Sequence, residues 1–320
     1  KIRSTERASQ ANYLQSMAAH QAVKTYLISS ISTTYYQLLA LDQQLIITEQ
    51  TIGTREKSVE TIKALKEAGM VTQVAVDQNI AQLNNAKVLK VDIATAIFKT
   101  ENVLSILLGK TPQHIERGML ETQTIDTDMK WGVPATLLSN RPDVMAAEYQ
   151  LAQNFEMTNV ARSNFYPSLT LTANGGFQSI ELDKLLNVNS LFATLVSGLT
   201  QPVFNQRKIK TQYEVAKAQQ EQALLNFKQT LLVAGNEVSN ALYAYKAETE
   251  KYTYRLNEVE ALRAAETNSE ELLNNGFANY LDLLIVRQSV LNSELNVIES
   301  KLQQLLTVVN LYEALGGGWR

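Results

Sequence analysis

The chain has 320 residues, enough to bury a substantial core in one large domain or two ordinary ones. Its 29 basic and 32 acidic residues leave a formal net charge of −3, so no overall field marks it for nucleic acid or an anionic membrane surface. It has no cysteine, which excludes disulfides, Cys–zinc sites and Cys nucleophiles, and no apolar run reaches the roughly 18 residues of a bilayer-spanning helix.

All five prolines (Pro112, Pro134, Pro142, Pro167, Pro202) fall between 112 and 202. Proline removes a backbone donor and clashes with the preceding turn, so the proline-free flanks permit very long helices. The opening "KIRS" is echoed by "KIKT" at 208–211, and at the same offset of 207 Gly69 falls on Gly276, Gly109 on Gly316 and Tyr36 on Tyr243. This pattern implies an internal duplication.

The first copy, 1–109, reads as a helix from about residue 5 to 66, a glycine turn at Gly69, and a return helix from near Thr72 to Gly109. Ile31, Leu38, Leu45 and Ile52 recur every seven residues on the descending helix, which at 1.5 Å per residue would be roughly 90 Å long. Gly69 suits the left-handed position that ends a helix, and Thr72 suits an N-cap. Residues 110–140 read as an irregular connector. In "NRPDV" (140–144), Asn140 is the candidate cap, Pro142 lies in the first turn and Asp143 favours the positive dipole end. A helix of about twenty residues follows, to near Asn164.

Within 141–207 the period then changes to two. Leu169, Leu171, Ala173 and Phe177 fall on one face of the first run, and Ser168, Thr170, Thr172, Asn174 and Gln178 on the other. Residues 190–204 form a second candidate strand with Leu191, Ala193, Leu195 and Leu199 on one face, and Phe165, Tyr166, Phe192 and Phe204 flank the runs. Transmembrane barrel strands show this alternation and these aromatic edges, and a soluble hairpin packed on a helix shows the same pattern. The glycine pair of "NGGF" (174–177) reads as a bend in a strand.

The second copy, 208–316, carries Leu224, Leu231, Val238, Tyr245, Tyr252 and Val259 at heptad spacing, then the Gly276 turn and an N-cap at Asn279. Its return helix carries Leu284, Leu291, Ile298, Leu305 and Tyr312, interleaved with Leu295, Leu302 and Val309, before a short tail at 317–320. If both copies are built alike, a helix and a strand pair precede Lys1 in a longer parent chain with four strands. On that expectation the chain as it stands does not close a barrel alone, and is soluble, monomeric or assembled unlike its parent.

His20 and His114 are the only histidines and neither has a partner at metal-site spacing, so each is expected to be solvated or packed. No phosphate loop, nucleophile elbow or paired-carboxylate motif is present, so no enzyme activity, cofactor or metal is expected.

Together "RPDVMAAEYQLA" and "VARSNFYPSLTLTANGGF" (141–177), "NGFANYLDLL" (275–284) and "VNLYEALGGGW" (309–319) make the chain resemble the TolC-like outer-membrane efflux ducts, especially the outer-membrane lipoproteins of tripartite drug and metal pumps. The resemblance covers essentially the whole chain. It implies a mainly α fold, with long antiparallel coiled-coil hairpins forming part of an α-barrel and a β-hairpin belonging to a transmembrane β-barrel. It implies a homotrimeric, passive duct in the outer membrane of a Gram-negative bacterium with a long periplasmic portion, an equatorial belt to which 110–140 and the tail contribute, and an N-terminal lipid in some members. Its partners would be a periplasmic adaptor and an inner-membrane pump of RND type.

Carried over by position, the resemblance places adaptor contacts at Ala68, Gly69, Met70, Asn275, Gly276 and Phe277; the plainer reading, compatible with it, is that the two glycines close the hairpins. It places a periplasmic gate at Leu281 (constriction), Asp282 (acidic ring) and Ile285, where relatives commonly have Asp; Ala75 replaces the corresponding acid of the first copy. Asp282 also reads simply as a first-turn helix acid. Two other readings stand beside this one: a duct for type I protein secretion, and a structural coiled-coil adaptor, against which the alternating segments and the duplication argue.

Overall fold

The structure, a computed structural model, describes residues 1–124, 140–277 and 279–317. Five helices and one strand pair account for most of them. Helix α1 (Ile2–Glu67) runs for 66 residues, about 100 Å at 1.5 Å per residue, and α2 (Gln73–Leu107) returns for 35. Then come α3 (Pro142–Ser163), β1 (Ser168–Phe177), β2 (Leu191–Thr200), α4 (Lys208–Asn274, 67 residues) and α5 (Tyr280–Ala314, 35 residues). Shifted by 207, α2 superposes its limits on those of α5, so the duplication read from glycines holds for whole elements.

All four long-helix C-termini end alike. Gly69, Gly109, Gly276 and Gly316 have φ of 76°, 67°, 77° and 73°, the left-handed region that only glycine enters without strain. At the first turn the Gly69 N–H donates to the Lys66 carbonyl and the Met70 N–H to the Leu65 carbonyl, both at 2.9 Å. At the second, the Gly276 N–H donates to Leu273 at 3.0 Å and the Phe277 N–H to Leu272 at 2.9 Å. These paired bonds close a Schellman motif and satisfy carbonyls the helix leaves open. Asn279 caps α5 as expected, its side chain accepting from the Leu281 N–H at 3.2 Å. Thr72 occupies the corresponding position of α2 but its hydroxyl makes no capping bond. Asn140 is not the cap of α3 either, because the helix starts at Pro142 and Arg141 precedes it.

The chain divides into two compact units, one made of Lys1–Ala19 with Pro142–Leu232, the other of His20–Arg141 with Val233–Arg320. In the first unit small buried residues (Ala8, Ala11, Ala18, Ala161, Ala216, Ala223) line the helix contacts, a pattern that lets backbones approach closely. The Thr158 hydroxyl donates to the Ala216 carbonyl at 3.1 Å, and Phe165 meets Tyr213 edge to face at 5.8 Å. The two strands pair antiparallel from Ser168↔Thr200 to Phe177↔Leu191. Alternation along this ladder puts Leu169, Leu171, Leu191, Leu195 and Leu199 on one face, all exposed, and Ser168, Thr170, Thr172, Asn174 and Thr194 on the other. The Gly175–Gly176 pair is not a bend. The strand runs through it, and a Cβ on Gly176 would lie 3.4 Å from the Phe192 ring, so glycine makes room for that side chain.

The second unit holds the larger core. Leu39, Ala40 and Leu120 pack with Ile298, Leu302 and Leu305, and Val238 and Ala241 pack with Leu311 and Ala314. Of the expected α5 seam, Tyr312 is exposed and Leu284 and Leu295 are half-buried, whereas Leu291, Ile298, Leu302, Leu305 and Val309 are buried. Each such side chain contributes roughly 1.5–3 kcal/mol.

Candidate functional site

The site built here is the end of the second unit where α1 turns into α2 and α4 into α5. A small core joins the bases of the two turns: Ile62 and Val76 from the first hairpin pack with Tyr280 and Leu283 from the second, flanked by Leu65, Val71, Ala75 and Leu273. The sequence-derived turn residues Ala68, Gly69 and Met70, and Asn275, Gly276 and Phe277, are all exposed beyond this core. In a Schellman turn the residue after the glycine commonly folds back onto the helix. Here Met70 is 72% and Phe277 82% exposed, so each turn presents a large apolar side chain outward.

Leu281, Asp282 and Ile285 come together on one exposed stripe of α5, at spacings that share a helix face, while Tyr280 and Leu283 face the core. Asp282 lies in the first turn of α5, where a carboxylate complements the helix dipole. Ala75, at the matching place of the first copy, packs into the small core rather than toward solvent.

A row of polar residues that sequence reasoning missed runs beside this stripe. Tyr280, Arg287, Glu294 and Lys301 follow one another at heptad spacing on α5, and each has a partner on another helix. The Tyr280 hydroxyl donates to Asn79 Oδ1 at 2.6 Å, and burial pushes it above the usual phenol range although Arg287 works against this. Arg287 donates to Ser58 Oγ at 2.7 Å and to Glu266 Oε1 at 3.0 Å, and lies 3.2 Å from Glu270. Glu294 accepts from Arg263 at 2.7 Å, and Lys301 lies 5.8 Å from the Tyr252 ring centre. Arg55 of α1 is buried between Gln82 of α2, to which it donates at 3.0 Å, and Gln288 of α5 at 2.7 Å. Burial, then repulsion from Arg287, lowers its affinity for its proton. One signal could have found it: Thr48, Arg55 and Ile62 are seven apart and all buried, so Arg55 interrupts a heptad row.

Two further arginines hold the connector. Arg117 donates through Nη2 to Asp42 at 2.8 Å and through Nε to the same carboxylate, and its Nη1 reaches Glu101. His114 is largely exposed, with Nδ1 2.8 Å from the same Glu101, and His20 is exposed. Arg141, which opens α3, is buried with Nη1 on the Ala314 carbonyl at 2.9 Å and Nη2 on Glu237 at 2.7 Å. The part of the predicted connector at 125–139 and the tail at 318–320 lie outside the described residues.

Among the described residues, no helix is long and apolar enough to cross a membrane, and no cluster of His, Asp and Glu could hold a metal ion. The strand pair leaves its leucine face exposed.

Comparison with known proteins agrees with the geometry. The model of the outer membrane efflux protein family matches residues 1–110 and 133–317. The chain is 28% identical over 321 residues to the solvent efflux pump outer membrane protein SrpC of Pseudomonas putida, covering all of this chain and 68% of that protein. It is 31% identical over 307 residues to the pyoverdine export outer membrane protein OpmQ of Pseudomonas putida, covering 94% of this chain and 64% of that one. The crystal structure of the open state of the Neisseria gonorrhoeae MtrE outer membrane channel matches with a TM-score of 0.90 at 25% identity, over 100% of this chain and 72% of that one. The long helical hairpins, the leucine-faced strand pair and these matches make the chain a member of the outer membrane efflux protein family, an outer-membrane channel component of an efflux system.

Proposed function

We propose that the protein forms a passive homotrimeric duct through which small molecules leave the periplasm, and that it performs no chemistry on them. The observation that carries this reading is the pair of glycine turns, each ending in an exposed apolar side chain, next to the stripe of Leu281, Asp282 and Ile285. Ala68–Met70 and Asn275–Phe277 are the contact points for a periplasmic adaptor, which couples the duct to an RND-type inner-membrane pump. Leu281 and Ile285 narrow the entrance in the trimer, and three copies of Asp282 ring it. Residues 110–140 contribute to an equatorial belt. The exposed apolar residues of α2, among them Val88, Val91 and Phe98, support burial against neighbouring copies. Small-molecule efflux is favoured over protein secretion by relatives named for solvent and pyoverdine export.

Replacing Met70 and Phe277 by Asp tests the adaptor contact. Both side chains are exposed and outside the core, so the unfolding free energy should stay within about 0.5 kcal/mol of the parent. Cells relying on the pump should lose resistance, and cross-linking to the adaptor should fall. Resistance retained by the double variant would remove these turns from the interface.

A further inference from the structure

Between β1 and β2 lies the segment 178–190, which the strand ladder does not use. It is folded on itself. Leu182–Lys184 and Val188–Ser190 are short helical turns, the Gln178 N–H donates to the Ser190 carbonyl at 2.8 Å, and the Ser190 hydroxyl donates to the Lys184 carbonyl at 2.6 Å. Lys184 pairs with Glu181. A segment that satisfies its backbone internally can keep its apolar side chains inside as well. This one does the reverse: Ile180, Leu182, Leu186 and Val188 all project into the open, Leu182 at 92% exposure.

Its place on the hairpin says what could cover them. Ser168 and Thr200, the paired ends nearest α3 and α4, are one end of the ladder; Phe177 and Leu191 are the other, from which the segment extends. Strands of ten residues tilted by about 45° span the roughly 25 Å apolar band of an outer-membrane barrel. Phe177, which shares the leucine face, then marks the outer edge of that band, and the segment begins at headgroup level. We propose that residues 178–190 form an interfacial anchor, with Ile180, Leu182, Leu186 and Val188 seated in the headgroup–acyl boundary of the outer leaflet. The proposal rests on the reading of the hairpin as a membrane-barrel segment. It continues the leucine face of the strands past the aromatic edge. Packing of copies of the segment against one another over a pore is disfavoured by charge: Lys184 is engaged by Glu181, and Asp183 has no ion pair among the described residues, so converging copies would oppose like charges.

The test uses the assembled trimeric duct proposed above, with Trp131 and Trp319 replaced by Phe, and one tryptophan introduced as Leu182→Trp, Leu186→Trp or, on the strand face, Leu195→Trp. Each variant is inserted into phosphatidylcholine vesicles carrying bromine at shallow or deep acyl positions. The anchor predicts blue-shifted emission at 182 and 186, quenched most by shallow bromines, and quenching at 195 by deep bromines. Quenching of 182 and 186 by aqueous acrylamide while 195 responds to bromine would overturn the anchor and leave the membrane strands standing. Protection of 182 and 186 from both quenchers would overturn it in favour of contact between copies. Loss of bromine quenching at 195 as well would overturn the membrane reading of the hairpin together with the anchor.

Discussion

Arg55, Arg117 and Arg141 each join segments far apart in sequence, and their side chains are almost withdrawn from water. The Arg117–Glu101–Asp42 group is the most exacting of the three. Burial works to raise the Glu101 carboxyl, but the Arg117 hydrogen bond, the Ile115 N–H and the charges of Arg117 and His114 outweigh it and hold it below the usual range. Hydrogen bonding to Asp42 does most to hold the Arg117 proton in place. A carboxyl depressed in the folded state contributes stability that is complete above its unfolded value, near 4.3, and is lost as pH falls through the folded one. Glu101→Gln should therefore unfold more readily than the parent at pH 7, and denaturant titrations at about pH 3 should show the difference narrowing. Arg117→Ala, which leaves Glu101 buried without its partner, should cost about 3–5 kcal/mol at pH 7. A pH-independent gap would show that the carboxylate charge is not what holds the connector. None of this was legible in the sequence, since Arg117 lies 75 positions from Asp42, and Arg55 lies 233 from Gln288. Heptad position betrays Arg55 as an interruption, but nothing local names what receives it.

Elements were far more legible. A heptad row, an absence of proline and a glycine at the turn are all local properties, and they located the four long helices and the strand faces. What they could not separate is two turns of identical backbone. Gly109 and Gly316 share their φ and their hydrogen bonds, yet a Cβ on Gly109 meets nothing within 4 Å, whereas one on Gly316 would lie 2.9 Å from Arg141 Cα. Gly109→Ala should therefore cost only the left-handed penalty, about 1–2 kcal/mol. Gly316→Ala adds a clash with backbone that carries the buried Arg141, so a further 1–3 kcal/mol or so is expected. Equal losses in thermal unfolding of the two variants would mean that Arg141 moves aside freely. The same contact ties Arg141 to the end of α5 within the second unit: Arg141 caps the Ala314 carbonyl and lies against Gly316. Thr72 does hold the N-cap position of α2 and lacks only the side-chain bond, whereas the helix after Asn140 starts one residue too late for Asn140 to cap it.

For the whole molecule, membership of the outer membrane efflux family makes sense of three features at once: duplicated hairpins, a strand pair with a bare leucine face, and no helix among the described residues able to cross a bilayer. The gate is the part of the account most exposed to test. Asp282 sits on an open helix face beside two apolar residues, and in the proposed gate, where Ile285 and Ala75 carry no acid, its carboxylate should contribute strongly to the field at the entrance. A unit charge at about 4 Å contributes on the order of 1 kcal/mol in water, roughly a fivefold effect on local cation occupancy, and more in a narrow mouth. The decisive measurement is the ion selectivity and divalent-cation block of the trimeric full-length protein in planar bilayers, before and after Asp282→Ala. The account predicts a severalfold loss of cation preference and weaker block with the fold unchanged; conductance, selectivity and block all unaltered by the substitution would contradict it.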